Sequence, residues 1–168
     1  MREMTKENLK ASFAGESQAH MKYLIFAEKA EKEGYKNVAR LFRAVAYAEK
    51  VHAESHLKIL AGEENTLNNL KVAIEGENFE VAEMYEAYKA VADLQGEKAA
   101  SRSFYYAIEA EKLHSALFSQ AHELVKLGKD LEIKTNIYVC PLCGHTVVDS
   151  FPERCPICGT AGEKFEKF

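Results

Sequence analysis

The stretch GYKNVARLFRAVAYAEKVH at residues 34–52 returns as GEKAASRSFYYAIEAEKLH at residues 96–114, and this repeat limits the available folds more than any other feature. Shifted by 62 positions, Gly34 falls on Gly96, Arg40 on Arg102, Phe42 on Phe104, Glu49 on Glu111 and His52 on His114. Residues 5 to 128 contain no proline, are rich in Ala, Leu, Glu and Lys, and carry apolar residues at helical spacing. Two copies of one helical hairpin satisfy both observations.

The helices can be placed from their punctuation. Thr5 caps the first, which runs through Leu9, Phe13, Met21 and Leu24 to a stop at Gly34. A second covers residues 36–61 and ends at Gly62, a third begins near Glu77 and breaks at Gly96, and a fourth continues to Gly128. The connections at Gly34 and Gly96 are tight, so each pair is an antiparallel hairpin. Beyond Gly128 the character changes. The segment KDLEIKTNIYV is polar and β-branched, and all three prolines lie at or beyond Pro141. The expected fold class is an all-α four-helix bundle over residues 1–130, followed by a small β-rich metal domain over residues 136–168.

The formal charge of −4 comes from both signs mixed along the whole length, which disfavours nucleic acid as a partner. The first ten residues are polar, and nowhere do the about 18 apolar residues of a membrane span run together. All four cysteines follow residue 139 as two Cys-x-x-Cys pairs, which suits reduced, metal-holding thiolates rather than a disulfide framework. These features describe an unexported, cytoplasmic chain.

Residues three apart on a helix lie on one face, so Glu49 with His52 can bind one metal, and Glu111 with His114 repeats the arrangement. A single Glu-x-x-His is most often solvated helix surface; two at equivalent points of a repeat carry far more information. Small apolar residues precede both acids, among them Ala44, Ala46, Ala48, Ala107 and Ala110. A carboxylate in such surroundings is penalised unless a cation satisfies it. The other helix of each pair offers Glu16 and Glu77, completing the set of one Glu from each of two helices and Glu-x-x-His from each of the other two. The repeat is imperfect here, because the residue 62 past Glu16 is Asn78. Glu80, one turn after Glu77, adds a fifth glutamate. Tyr23 and Tyr85 are candidates to donate hydrogen bonds to these carboxylates, and equally candidates for core aromatics. His20 reads as a supporting or surface residue, and His56 and His122 as surface residues.

Cys140, Cys143, Cys155 and Cys158 form C-x2-C-x11-C-x2-C, each half written C-P-x-C-G. Two such knuckles place four thiolates tetrahedrally around one metal. By spacing alone, structural zinc is the natural occupant. An adjacent redox-active dimetal centre, which must be re-reduced, favours iron.

AFAGESQAH, the Glu49 and Glu111 motifs, IEGENFEVAEMY and the closing CPLCG and CPICG together resemble the rubrerythrins, from the first helix nearly to the last residue. The resemblance implies a ferritin-like bundle followed by a rubredoxin-like domain, and reduction of hydrogen peroxide to water at a non-haem diiron centre. It implies that Glu16, Glu49, Glu77, Glu80, Glu111 and His114 hold two irons, with His52 as a redox-dependent ligand exchanging with Glu80. Tyr23 and Tyr85 would support the ligands, and Cys140, Cys143, Cys155 and Cys158 would hold a third iron that relays electrons. A rubredoxin or a flavin-containing reductase is the implied donor. The chain departs from the family at Glu86, where a proline usually follows Met-Tyr, and its linker between helices two and three is shorter than in some relatives. A ferroxidase feeding an iron store, or a zinc-tailed metal-binding protein, are the competing readings. Thirteen residues, Glu63 to Glu75, separate the expected second and third helices and reach about 43 Å fully extended. A helix of about 25 residues is about 38 Å long. So taut a crossover leads us to expect a homodimer, with helix pairs open to exchange between chains.

Overall fold

A computed structural model describes residues 1–62 and 64–168, so Glu63 in the expected crossover lies outside the described residues. The chain divides into two compact units, Met1–Glu64 and Asn65–Phe168.

The first unit is one helical hairpin, α1 (Glu3–Lys32) and α2 (Lys36–Ala61). Its seam is built from alanines, with Ala27, Ala30, Ala39, Ala46 and Ala53 all buried. Side chains this small let two backbones approach closely. The first helix begins earlier than the Thr5 cap predicts: Arg2 occupies the N-cap without a side-chain bond, and Glu3 in the first turn complements the helix dipole instead. The hairpin turns at Gly34, whose φ of +88° only glycine adopts cheaply. There the Tyr35 N–H donates to the Ala30 carbonyl and the Gly34 N–H to that of Glu31.

The second unit contains the other hairpin and the cysteine module. Its first rod runs as α3 (Thr66–Phe79), a π-helical turn (Glu80–Met84) and α4 (Tyr85–Gln95); α5 (Lys98–Lys126) packs along it. The turn at Gly96 copies the first one bond for bond, with Glu97 N–H donating to Ala92 and Gly96 N–H to Asp93. The aromatic clusters repeat as well: Tyr23, Phe26 and Phe42 in the first unit, Tyr85, Tyr88 and Phe104 in the second. One expectation fails. The third helix starts at Thr66, well before Glu77, because Asn65 caps it by accepting the Asn68 N–H at 2.9 Å. The expected 13-residue crossover is therefore mostly helix, and only residues 62–65 separate α2 from α3.

After α5, strands β1 (Ile137–Val139), β2 (Thr146–Val148) and β3 (Glu166–Lys167) form an antiparallel sheet in the order β2-β1-β3. Cys140, Cys143, Cys155 and Phe165 make its small core, and Tyr106 of α5 packs against that core from the same unit.

Candidate metal centres

In the first unit α1 supplies Glu16 and α2 supplies Glu49 and His52, with potential ligand atoms all within 4.8 Å of one another. His52 Nδ1 lies 3.2 Å from Glu49 Oε2 and 3.9 Å from Glu16 Oε1. The Glu16 carboxyl is held above the ordinary carboxylate range, first by a hydrogen bond shared with Glu49, then by burial and the Glu49 charge. His20 ties the hairpin together, donating from its Nδ1 to the Ala46 carbonyl at 2.8 Å across from α1 to α2, one turn before Glu49. His56, expected as a surface residue, is half-buried and acts electrostatically on Glu16. His122 is also half-buried, 3.2 Å from the exposed Glu123.

The second unit repeats the cluster with Glu77, Glu111 and His114. His114 Nδ1 lies 2.5 Å from Glu111 Oε2. Glu77 is pushed up to about 7, chiefly by burial, then by the hydrogen bond it shares with Glu111 and by that residue's charge. Glu80 is raised by burial and by Glu111, and Tyr85 by burial and then Glu80, Glu111 and Glu77, so Tyr85 keeps its O–H beside the acids. The Tyr23 ring lies in the aromatic cluster of the first unit. Each cluster thus holds two hydrogen-bonded carboxylates beside an imidazole, a donor set whose chemistry fits a divalent cation.

The π-helical turn explains the imperfect repeat. From Glu16 to Tyr23 is seven residues and from Glu77 to Tyr85 is eight, so the second copy carries one extra residue. A π turn absorbs one extra residue within an α-helix. The register is therefore offset by 61 before the turn and 62 after it. Asn78, which would otherwise match Glu16, instead accepts the Ser115 hydroxyl at 2.7 Å and ties α3 to α5. Glu80 begins the inserted turn and has no counterpart carboxylate in the first copy, where residues 18 and 19 are Gln and Ala.

The four cysteines gather as the spacing requires, all free and within 4.8 Å. Sγ pairs lie 3.5 Å apart for Cys140 and Cys158 and 3.4 Å for Cys143 and Cys155. A tetrahedral metal with bonds of about 2.3 Å has edges of roughly 3.8 Å, so little adjustment is needed to hold one. The knuckles are copies: Cys140 N–H donates to His145 O and Cys155 N–H to Thr160 O, while Gly144 and Gly159 both sit at φ +77°. Burial pushes the Cys143 thiol up, whereas at Cys158 hydrogen bonds from the Thr160 side chain and backbone and from Cys140 outweigh burial and bring it down to about 6. Spacing alone does not reveal that this module lies against α5. His114 Nε2 is 2.9 Å from Thr146 Oγ1 and 3.3 Å from the Gly144 carbonyl, two neighbours that no motif in the sequence announces.

The family model described as Rubrerythrin matches residues 7–122, and that for the rubrerythrin rubredoxin-like domain matches residues 138–166. The chain belongs to the rubrerythrin family. Rubrerythrin-2 of Clostridium acetobutylicum is 43% identical over 98% of this chain and 97% of its own length. Nigerythrin of Nitratidesulfovibrio vulgaris is 32% identical over 98% and 86%. The solved structure described as the fully reduced, all-ferrous state of nigerythrin superposes with a TM-score of 0.57 at 32% identity, covering 98% of this chain and 86% of that one. The rubrerythrin fold, helical and ferritin-like with a small rubredoxin-like sheet domain, is thereby established for this chain. Among its described residues no helix is long and apolar enough to cross a membrane.

Proposed function

We propose that this rubrerythrin is a cytoplasmic non-haem diiron peroxidase that reduces hydrogen peroxide to water, with a tetrathiolate iron relaying electrons. The observation that carries this reading is the pairing of two equivalent Glu–Glu–His clusters with a four-cysteine module whose Thr146 hydroxyl and Gly144 carbonyl meet the cluster histidine His114. The all-ferrous state named for the nigerythrin structure supports iron in all these sites.

Glu16, Glu49, His52, Glu77, Glu80, Glu111 and His114 hold the two irons, and Cys140, Cys143, Cys155 and Cys158 the third. Two ferrous ions bound there supply both electrons needed to break one O–O bond and polarise its oxygens. The residues do the rest. Five carboxylates would balance the rise in charge on oxidation, with Glu80 the ligand favoured for the oxidised centre and His52 for the reduced one. Glu77, whose carboxyl holds a proton up to about pH 7 without metal, releases it as metal enters. Tyr85, kept protonated, is placed among Glu77, Glu80 and Glu111 to donate to a carboxylate or to bound peroxide. The physiological reductant is a rubredoxin or a flavin-containing reductase.

Chain lengths support a homodimer with exchanged helix pairs. Ala61 lies 12 residues beyond Glu49 and Glu77 lies 11 beyond Thr66. These are axial distances of about 18 and 17 Å. A ferritin-like crossover would have to cover their sum, about 35 Å, whereas five Cα–Cα steps reach about 18 Å. A second copy removes the conflict, each chain's Glu16–Glu49–His52 set meeting the other chain's Glu77–Glu111–His114 set.

Steady-state peroxide consumption by iron-loaded protein with a reductase and rubredoxin tests the function. Turnover proportional to bound iron is expected. A rate no greater than that of protein loaded only at the cysteines would refute the peroxidase reading.

A further inference from the structure

Three atoms join the cysteine module to the α5 cluster. The Thr146 hydroxyl, on the first residue of β2, donates to the Gly144 carbonyl at 2.9 Å. That same hydroxyl oxygen lies 2.9 Å from His114 Nε2, and the Gly144 carbonyl lies 3.3 Å from it. Thr146 has one proton and it is committed to Gly144, so both groups facing Nε2 can only accept. Nε2 therefore carries the hydrogen. The nitrogen left for a metal is Nδ1, which faces Glu111 Oε2 inside the acid cluster. Gly144 rests on α5 beside this cluster, where a β-carbon would lie 3.6 Å from that of Ala110, an ordinary contact that keeps the knuckle close.

We propose that Thr146 is a positioning residue of the dimetal centre, holding His114 in the tautomer and ring orientation that present Nδ1 to the metal. The inference rests on the dimetal reading above. A histidine ligand normally donates its other ring N–H to an oxygen that fixes it, and loss of such a partner costs about 10- to 100-fold in metal affinity. The oxygen here comes from the sheet module rather than from a neighbouring helix, so the module that holds the cysteine-bound metal also orients a ligand of the other centre. His114 and Thr146 both border an apolar cavity of about 840 Å³, together with Leu117 and Ile137, so water can reach Nε2–H once the bond to Thr146 is gone.

The test uses full-length protein loaded with zinc, a diamagnetic probe for both kinds of site, and compares wild type, Thr146→Val and Thr146→Ser. In the wild type, nitrogen-15 NMR should show a slowly exchanging His114 Nε2–H. In Thr146→Val that proton should exchange rapidly, and zinc binding beyond the first, cysteine-bound equivalent should weaken by about tenfold. Thr146→Ser should restore both. Wild-type exchange and affinity in the valine variant would overturn the proposal. So would failure of serine to restore them, since the methyl group's packing would then be what matters; this arm stands even if the valine variant folds poorly. Zinc content itself reports on the dimetal reading separately: a chain that binds only the cysteine equivalent removes that reading, while the exchange of Nε2–H still reports on Thr146.

Discussion

Glu77 shows how much of this protein's chemistry resides in single carboxyl groups. Burial, then the shared hydrogen bond and charge of Glu111, push its carboxyl up to about 7 from an ordinary 4.5. Because the folded value is raised, the folded chain holds a proton that the unfolded chain has already released. That stabilisation is full below about pH 4.5 and is lost as pH rises through about 7. Metal-free protein should therefore melt at a lower temperature at pH 8 than at pH 5, and Glu77→Gln should flatten this trend in calorimetry. Ferrous affinity should run the other way, strengthening as pH rises through 7, because metal must displace the same proton. Removing one of the proposed metal-holding acids is more severe: Glu49→Ala or Glu111→Ala should lower peroxide turnover at least about 100-fold with loss of bound iron. Glu80→Ala should leave the reduced centre largely assembled but weaken the oxidised one, which Mössbauer spectra of the two states would resolve. The two Glu–Glu–His clusters are legible in the sequence because i, i+3 spacing and a repeat are local properties. Thr146 and Gly144 are not, because only tertiary packing carries them to His114.

At the scale of elements, glycine and the absence of proline mark the ends of α2, α4 and α5 closely, and both hairpin turns close with the same pair of backbone bonds. Asn65 does not stand out as a cap, since the polar stretch from Gly62 onward reads as a linker until the Asn65–Asn68 bond is seen. The π-helical turn is legible only as a defect, the one-residue slip between Glu16 and Glu77. Its role follows from rotation: one residue in an α-helix turns the chain by about 100°. Deleting Val81 should convert Glu80–Met84 to plain α-helix with the seven-residue spacing that separates Glu16 from Tyr23, and so keep Glu77 on the face of Tyr85. We expect unchanged or greater helix content by circular dichroism together with ferrous binding close to that of the unaltered chain. Binding weakened by about tenfold or more would show that the π turn itself, and not the register it restores, places the acids.

For the whole molecule, the proposed dimer rests on the four positions between α2 and α3. Sedimentation equilibrium should give a dimer across working concentrations, and lengthening the segment between Gly62 and Asn65 by about 10 flexible residues should allow monomers that still bind metal, since the added chain reaches a further 33 Å or so. A wild-type monomer with full iron content would contradict helix exchange. The paired acid clusters and the cysteine site are held to act together on peroxide, and that joint action is tested most directly by anaerobic titration of the fully reduced, iron-loaded protein with hydrogen peroxide, following the visible absorption of the tetrathiolate iron. One peroxide per ferrous pair should be consumed rapidly, yielding water without released oxygen, and the tetrathiolate colour should then appear as its electron passes to the oxidised centre. Slow oxidation that tracks only the cysteine-bound iron, at the same rate in Glu111→Ala, would contradict it.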